Sequence, residues 1–295
     1  MFEPRYVLNQ FSTGGGSAEV ARRDVARWGV DRVRLITADT RIEDPDNWRF
    51  ADEVWEHLGR PSWTIVRDGR NPMEAGRDAR CVPNNRMAIC SRDLKRKVIR
   101  DHLDATYDPA ADLVTLGFDW TEEHRMAGSR GPWEPWTIAA PLMDRPHTDK
   151  AMILAGWLSD GISPPALYDA GFSHANCGGG CVRGGHAQWA LLLRTYPERY
   201  AWWENEERIS RRMLDKDVTI LKDRTGGQTR PITLRAFRER LQATPTLFDH
   251  DDWGACGCFM GEDPVDEPIA TPVAIGSRPA PQILDWTDVR DEYVT

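Results

Sequence analysis

The stretch Tyr6-Val7-Leu8-Asn9-Gln10-Phe11-Ser12-Thr13-Gly14-Gly15-Gly16-Ser17 reads as a short apolar strand running into a glycine-rich loop. Ala18, Val20, Ala21, Val25 and Trp28 then recur at helical spacing, so the order is strand, loop, helix. The same order repeats outward. Val33-Arg34-Leu35-Ile36 predicts a second strand ending at Asp39-Thr40, and residues 45–58 predict a helix with Trp48, Phe50, Val54 and Trp55 as its apolar positions. Trp63-Thr64-Ile65-Val66 predicts a third strand, residues 91–103 a further helix, and Leu113-Val114-Thr115-Leu116 a strand before Gly117. Strands separated by helices of this length need crossovers. They predict an α/β fold with a doubly wound, mostly parallel sheet whose ligand lies at the carboxyl ends of the strands.

Beyond residue 126 the character shifts. Pro132, Trp133, Pro135 and Trp136 crowd together, and helices are expected over residues 149–158, 186–193, 197–215 and 233–242, with a hairpin over 218–230. The organisation expected is a nucleotide-binding core over residues 1–126, a helical, cysteine-bearing extension over 127–260, and an irregular Pro-rich tail over 261–295. In the whole chain of 295 residues, 40% hydrophobic and 28% charged residues fit a soluble globular protein and exclude collagen-like and disordered classes. The longest apolar stretch, residues 151–158, is far short of the about 20 residues of a membrane helix. The start Met1-Phe2-Glu3-Pro4-Arg5 lacks a basic segment followed by an apolar one, so the expectation is a cytoplasmic protein without membrane contact. A net charge of −8 argues against non-specific coating of nucleic acid and leaves a local basic groove open.

A glycine-rich turn between strand and helix exposes backbone N–H groups at the positive end of the helix dipole, which suits an anion. Ser12 and Ser17 add hydroxyls. A packing turn would look the same, and the loop is neither a Walker A sequence nor a G-x-G-x-x-G fingerprint. Six cysteines are the other chemical feature. The spacings Cys177-x-x-x-Cys181 and Cys256-x-Cys258 in a reducing compartment point to metal or thiol chemistry rather than to a disulfide framework. Glycines in Cys177-Gly178-Gly179-Gly180-Cys181 let both sulfurs face one ion. Zinc and an iron–sulfur cluster both suit such soft donors. Cys81 fits neither spacing and reads as structural, and His174 and His186 flank the cysteine loop as a ligand or acid–base group or as ordinary surface residues. Arg183, Arg194 and Arg199 read as a solvated face or an anion path.

Taken in order, Ser12-x-Gly-x-x-Ser17 after the first strand, Asp39-Thr40 after the second, Cys90-Ser91-Arg92-Asp93-Leu94-Lys95 ahead of a helix, Gly117 with Arg125 behind it, and Leu167-Tyr168-Asp169-x-Gly171-Phe172 before a cysteine resemble one family. It is the phosphoadenosine phosphosulfate (PAPS) reductase family, within the N-type ATP pyrophosphatase or adenine nucleotide alpha hydrolase-like superfamily. The resemblance is closest to a branch common in phages and prophages and spans about residues 5–259. It implies that Ser12, Thr13, Gly14, Gly15, Gly16 and Ser17 hold the phosphates of ATP or PAPS. It also implies that Asp39 and Thr40 lie near the ribose or adenine, with Gly117 beside the site, and that Lys95 and Arg125 meet phosphate or sulfate. The bland alternatives are a helix cap for Asp39, a solvated face for Lys95 with Lys97, and a pair with Glu122 for Arg125. The pyrophosphatase loop S-G-G-x-D-S carries an acid where this chain has Gly15 and Gly16, which leaves the need for Mg open.

The resemblance also implies a 4Fe-4S cluster, with zinc as the alternative, on Cys90, Cys177 and Cys181. Ile89 stands where the family's paired cysteine falls, so Cys256 or Cys258 would complete the ligand set. The family's reductases end in E-C-G-x-H, and Ala255-Cys256-Gly257-Cys258-Phe259 keeps only Cys-Gly. Cys256 is therefore both a metal-ligand candidate and a nucleophile candidate. Three functions follow. The first is nucleotide-dependent sulfur transfer to an acceptor such as a nucleobase or nucleic acid, with a sulfur donor or thiol reductant as partner. The second is sulfonucleotide reduction by a cysteine thiolate, and the third a non-catalytic, zinc-stabilised nucleotide-binding protein.

Overall fold

β1 (Val7–Gln10) is buried at all four positions, as a strand at the centre of a covered parallel sheet must be. The structure, a computed structural model, describes residues 2–224, 227–244, 252–254, 273–275 and 284–286, with the backbone alone for 273–275. β1 pairs in parallel with β2 (Val33–Ala38) on one side and β4 (Leu113–Thr115) on the other, Val7 lying opposite both Val33 and Leu113. β3 (Ser62–Arg67) extends the sheet beyond β2, and β5 (Thr137–Ala139) extends it beyond β4, both in parallel. β8 (Val273–Ile275) closes the β3 edge antiparallel, giving the order β5-β4-β1-β2-β3-β8. The chain runs outward through β2 and β3 and then returns to the opposite side of β1 for β4. The connections leaving β1 and β4 therefore diverge, and a crevice opens at their carboxyl ends.

Side-chain alternation along the strands sorts the layers. Val7, Val33, Leu35, Trp63 and Ile65 pack with α1 (Gly15–Trp28), α2 (Pro45–His57) and α6 (Lys150–Ser159), with Trp157 as the largest buried side chain of that layer. Leu8, Ile36, Val66 and Val114 point to the opposite face, against α4 (Val98–Thr106) and α5 (Glu123–Trp133). One polar group interrupts the first layer. Asp24 of α1, 2% exposed, accepts from Asn9 Nδ2 at 2.9 Å and Thr115 Oγ1 at 2.7 Å, tying β1, β4 and α1 together. Burial pushes its carboxyl up to about 6.

A third apolar cluster joins α3 (Pro72–Asp78) and the Cys90–Lys97 turn to α8 (His186–Thr195), α9 (Pro197–Leu214) and α10 (Leu234–Ala243), around Trp189, Tyr200, Trp202, Trp203 and Phe237. Glu207 of α9, 1% exposed, accepts from the Ile220 and Leu234 N–H groups at 2.9 and 2.7 Å, fixing the hairpin of β6 (Leu221–Asp223) and β7 (Arg230–Ile232). Burial raises its carboxyl to about 7.

Three sequence expectations change. The helix expected over 91–103 opens as a π-helical turn, Cys90–Lys97, before α4. The boundary expected at 126/127 falls inside α5, while β5 and α6 join the first sheet and its core. The tail expected to be irregular supplies β8 and places Trp286, 9% exposed, against Trp202 at 5.2 Å between ring centroids. Among the described residues no helix is long and apolar enough to cross a membrane.

Candidate functional site

The loop between β1 and α1 is held by its own side chains. Ser17 Oγ accepts from the Ser12 N–H at 3.1 Å and from Ser12 Oγ at 3.2 Å, and donates to the Gly14 carbonyl at 3.0 Å. Thr13 takes a left-handed φ of 62° to complete the bend. Gly14 caps α1 without a side-chain hydrogen bond, and the first turn carries no acidic residue. The first N–H groups of a 14-residue helix thus keep their positive potential. The Tyr168 hydroxyl, on α7 (Ala166–Asp169), accepts from the Gly15 N–H at 3.3 Å. The loop opens on a cavity of about 190 Å³ in the crevice between β1 and β4, walled by Gly117, Arg125, Lys150 and Asn176. A Cβ on Gly117 would lie 3.5 Å from the Ser17 nitrogen, so the chain after β4 packs directly against the start of α1.

Gln10 ends β1 at the floor of this cavity. It is 3% exposed, and neither its Oε1 nor its Nε2 has a hydrogen-bond partner. Asn176 lines the same cavity, and its Oδ1 is likewise buried and unpaired. Buried amides are satisfied in nearly all folded proteins, so two that face one cavity mark a place for polar ligand atoms.

A narrow gap lined by Ser12, Thr13, Glu43 and Lys95 leads from the loop to a second cluster. The π-helical turn widens the backbone and carries Lys95 inward to 6% exposure. Lys95 Nζ meets Glu43 Oε1 at 3.1 Å and Cys177 Sγ at 4.0 Å. Glu43 accepts from Thr40 Oγ1 at 3.1 Å and from the Cys177 N–H at 2.7 Å. Cys177 and Gly178 both have positive φ, 61° and 56°, which curls residues 177–181 so that the Cys177 and Cys181 thiols hydrogen-bond to each other. That bond holds the Cys181 thiol well below its usual range, helped by His174 and the Arg183 N–H, whereas it and burial push Cys177 up. Of the pair, Cys181 is thus the thiol that gives up its proton more readily. The loop is tightly packed: a Cβ on Gly178 would lie 2.9 Å from Trp286, and one on Gly180 would collide with the Trp203 indole.

The structure puts Ser12, Gly14, Gly16, Ser17, Gly117 and Arg125 on the larger cavity and Ser12, Thr13 and Lys95 on the narrow gap, with Gly15 turned to Leu154 and Tyr168. Arg125 also pairs with Glu122 and lies 4.5 Å over the Phe118 ring. Asp39, 1% exposed, is bonded to Arg67 at 2.8 Å and to the Arg41 N–H at 2.8 Å, so its carboxylate locks the ends of β2 and β3. Cys90 is buried in the same apolar cluster as Cys177. Among the described residues no group of three or more His, Cys, Asp or Glu is arranged to hold a metal ion. Cys256 and Cys258 lie outside the described residues. His186 Nε2 donates to the Lys222 carbonyl, 2.9 Å away, and Arg199 binds Asp44 and the Gly178 carbonyl, which gives both a structural task. Gln10, Glu43 and Asn176 are absent from the sequence reading; a glutamine closing an apolar strand was the signal available for the first.

Neither a protein-family model nor a curated protein matches this sequence. Among solved structures, PAPS reductase from Candida auris is similar at 11% identity and a TM-score of 0.38, over 58% of this chain and 80% of that one. The NH3-dependent NAD synthetase from Campylobacter jejuni is similar at 15% identity and a TM-score of 0.36, over 54% of this chain and 66% of that one. At such scores neither likeness bears on function, and the architecture rests on the sheet order given above.

Proposed function

We propose that the protein is a PAPS reductase-like, adenine-nucleotide-dependent enzyme of sulfur chemistry. The observation that carries the reading is the start of α1, with no N-cap side-chain bond and no acid in its first turn, beside the same cavity as the unpaired amide of Gln10. Phosphate oxygens would take the remaining N–H groups of the first turn and the Gln10 Nε2 donor, while the Asn176 Oδ1 acceptor would take a hydroxyl or amino group of the nucleotide. Arg125 on the larger cavity and Lys95 on the narrow gap would neutralise phosphate or sulfate, Gly117 would complete the nucleotide side, and Asp39 and Thr40 would support it from behind through Arg67 and Glu43.

The cysteine pair is the proposed reacting end. Cys177 and Cys181 offer two soft donors in contact, and Cys90 shares their apolar surroundings. A zinc or iron–sulfur centre would draw its remaining ligands from Cys256 and Cys258. An iron–sulfur centre, when bound, would supply electron or sulfide chemistry, whereas zinc would only hold thiolates in place. In the preferred reading the nucleotide activates an acceptor, a nucleobase or nucleic acid, with loss of pyrophosphate, and sulfur from a thiol or sulfide donor displaces the adenylate.

The contact between two thiols favours one alternative, sulfonucleotide reduction. The Cys181 thiolate would attack the sulfate sulfur of PAPS, releasing the nucleotide and leaving an S-sulfo-cysteine. Cys177, giving up its proton, would then attack Cys181 Sγ, forming the disulfide and expelling sulfite; an external dithiol would restore the pair. Parallel assays separate the two: pyrophosphate from ATP in the presence of acceptor supports transfer, sulfite from PAPS supports reduction, and neither product from metal-replete protein overturns both.

A further inference from the structure

Trp120 lies outside every apolar cluster among the described residues and is 47% exposed, in a chain whose largest buried side chains include three tryptophans. It opens the short 3₁₀ turn Trp120–Glu122, which is rigid because Asp119 accepts from the Thr121 N–H at 2.8 Å while Glu122 accepts from the Asp119 N–H at 3.2 Å. Its ring stacks on His147, also exposed, with centroids 5.2 Å apart and planes within 4°. The His147 segment is anchored in turn: Arg23 of α1 donates to the Pro141 carbonyl at 2.9 Å and to Thr148 Oγ1 at 2.8 Å. Two rigid segments thus hold a parallel pair of rings in the open.

The position of the pair is informative. Asp119 and Glu122, on either side of Trp120, line the phosphate-loop cavity, and so do Leu142 and Lys150, on either side of His147. The ring pair therefore belongs to two segments that wall the cavity containing Ser12 and Ser17. We propose that Trp120, backed by His147, is a stacking platform for a nucleobase, presented to the nucleotide site as the acceptor. This rests on the nucleotide-dependent reading and names its substrate class. A planar base completes the stack as a further layer without base-specific hydrogen bonds, and Lys150, on the cavity wall, stands nearby for its phosphates.

The base could come from a free nucleoside or from a single strand. The test uses the full chain with ATP present, measuring equilibrium dialysis of the four nucleosides and anisotropy of labelled single-stranded decamers. Trp120→Ala is expected to weaken the base ligand by about 5- to 150-fold, the range for losing one stacking contact, while Trp120→Phe retains most of the affinity. His147→Ala should give a smaller loss, and it serves as the test if Trp120→Ala fails to fold. Binding of both ligand types supports recognition of the base itself, and binding of decamers alone supports a single strand. Failure of wild-type protein to bind either ligand overturns the platform, as does undiminished binding by Trp120→Ala. ATP affinity should be unchanged in Trp120→Ala, so failure of wild-type protein to bind ATP counts against the nucleotide site alone.

Discussion

Gln10 concentrates the functional question in one side chain. A buried amide with two unpaired atoms costs stability unless a ligand satisfies it. Gln10→Leu should therefore leave the melting temperature unchanged or raised while weakening nucleotide binding by about tenfold or more, since a lost hydrogen bond to a charged group is worth about 1.5–3 kcal/mol. Calorimetric melting and titration check the two halves independently. Asp24 and Glu207 make a second prediction at this scale. Their folded carboxyls titrate near about 6 and about 7, above the ordinary 3.8 and 4.5. Between pH 4 and 7 the unfolded chain releases these protons first, so the stability these two groups contribute is fully present below about pH 4 and is lost as pH rises through the folded values. Each rise corresponds to roughly 3 kcal/mol. Asp24→Asn should flatten the decline between pH 4 and 6 in urea titrations; an unchanged slope would contradict this assignment.

At the scale of elements, the glycine-rich loop and the cysteine loop differ in what holds them. Ser17 closes the first with three hydrogen bonds, so Ser17→Ala should cost about 1 kcal/mol of stability and weaken nucleotide binding together, unlike Gln10→Leu. The cysteine loop is shaped by packing. Gly180→Ala forces a Cβ into Trp203, and about 1–3 kcal/mol of destabilisation should appear in denaturant unfolding along with loss of the reactive thiolate. Labelling at neutral pH should modify Cys181 ahead of Cys177, and Cys177→Ser should slow it, because the Cys177 thiol supports the Cys181 thiolate. Of these elements, α1 and its loop were legible because Ala18, Val20 and Ala21 repeat at helical spacing after glycines. The π-helical turn was not, because Cys90–Lys97 carries helix-forming residues and the extra width comes from tertiary contacts of Lys95 and Leu94.

For the whole molecule, the alternation of strands and helices was enough for the parallel sheet, since period-two burial and crossover length are local properties. The strand order was not local. β5 and β8 are three residues each and carry too little pattern to be read, yet one extends the sheet and the other seals its edge. The same limit applied to the site: Ser12, Lys95 and Cys177 lie far apart in sequence, and only the switch in strand order at β1 brings their loops to one end. Glu43 then links them, binding Lys95, Thr40 and the Cys177 backbone at once. The central claim is that a nucleotide occupies the crevice at that switch. Isothermal titration of ATP and of PAPS into the full chain and into Gln10→Leu tests it most directly. One nucleotide bound per chain, with affinity about tenfold weaker or more in Gln10→Leu at an undiminished melting temperature, is the predicted result. No heat of binding from either nucleotide in the wild-type protein, or equal affinity in the two proteins, would contradict it.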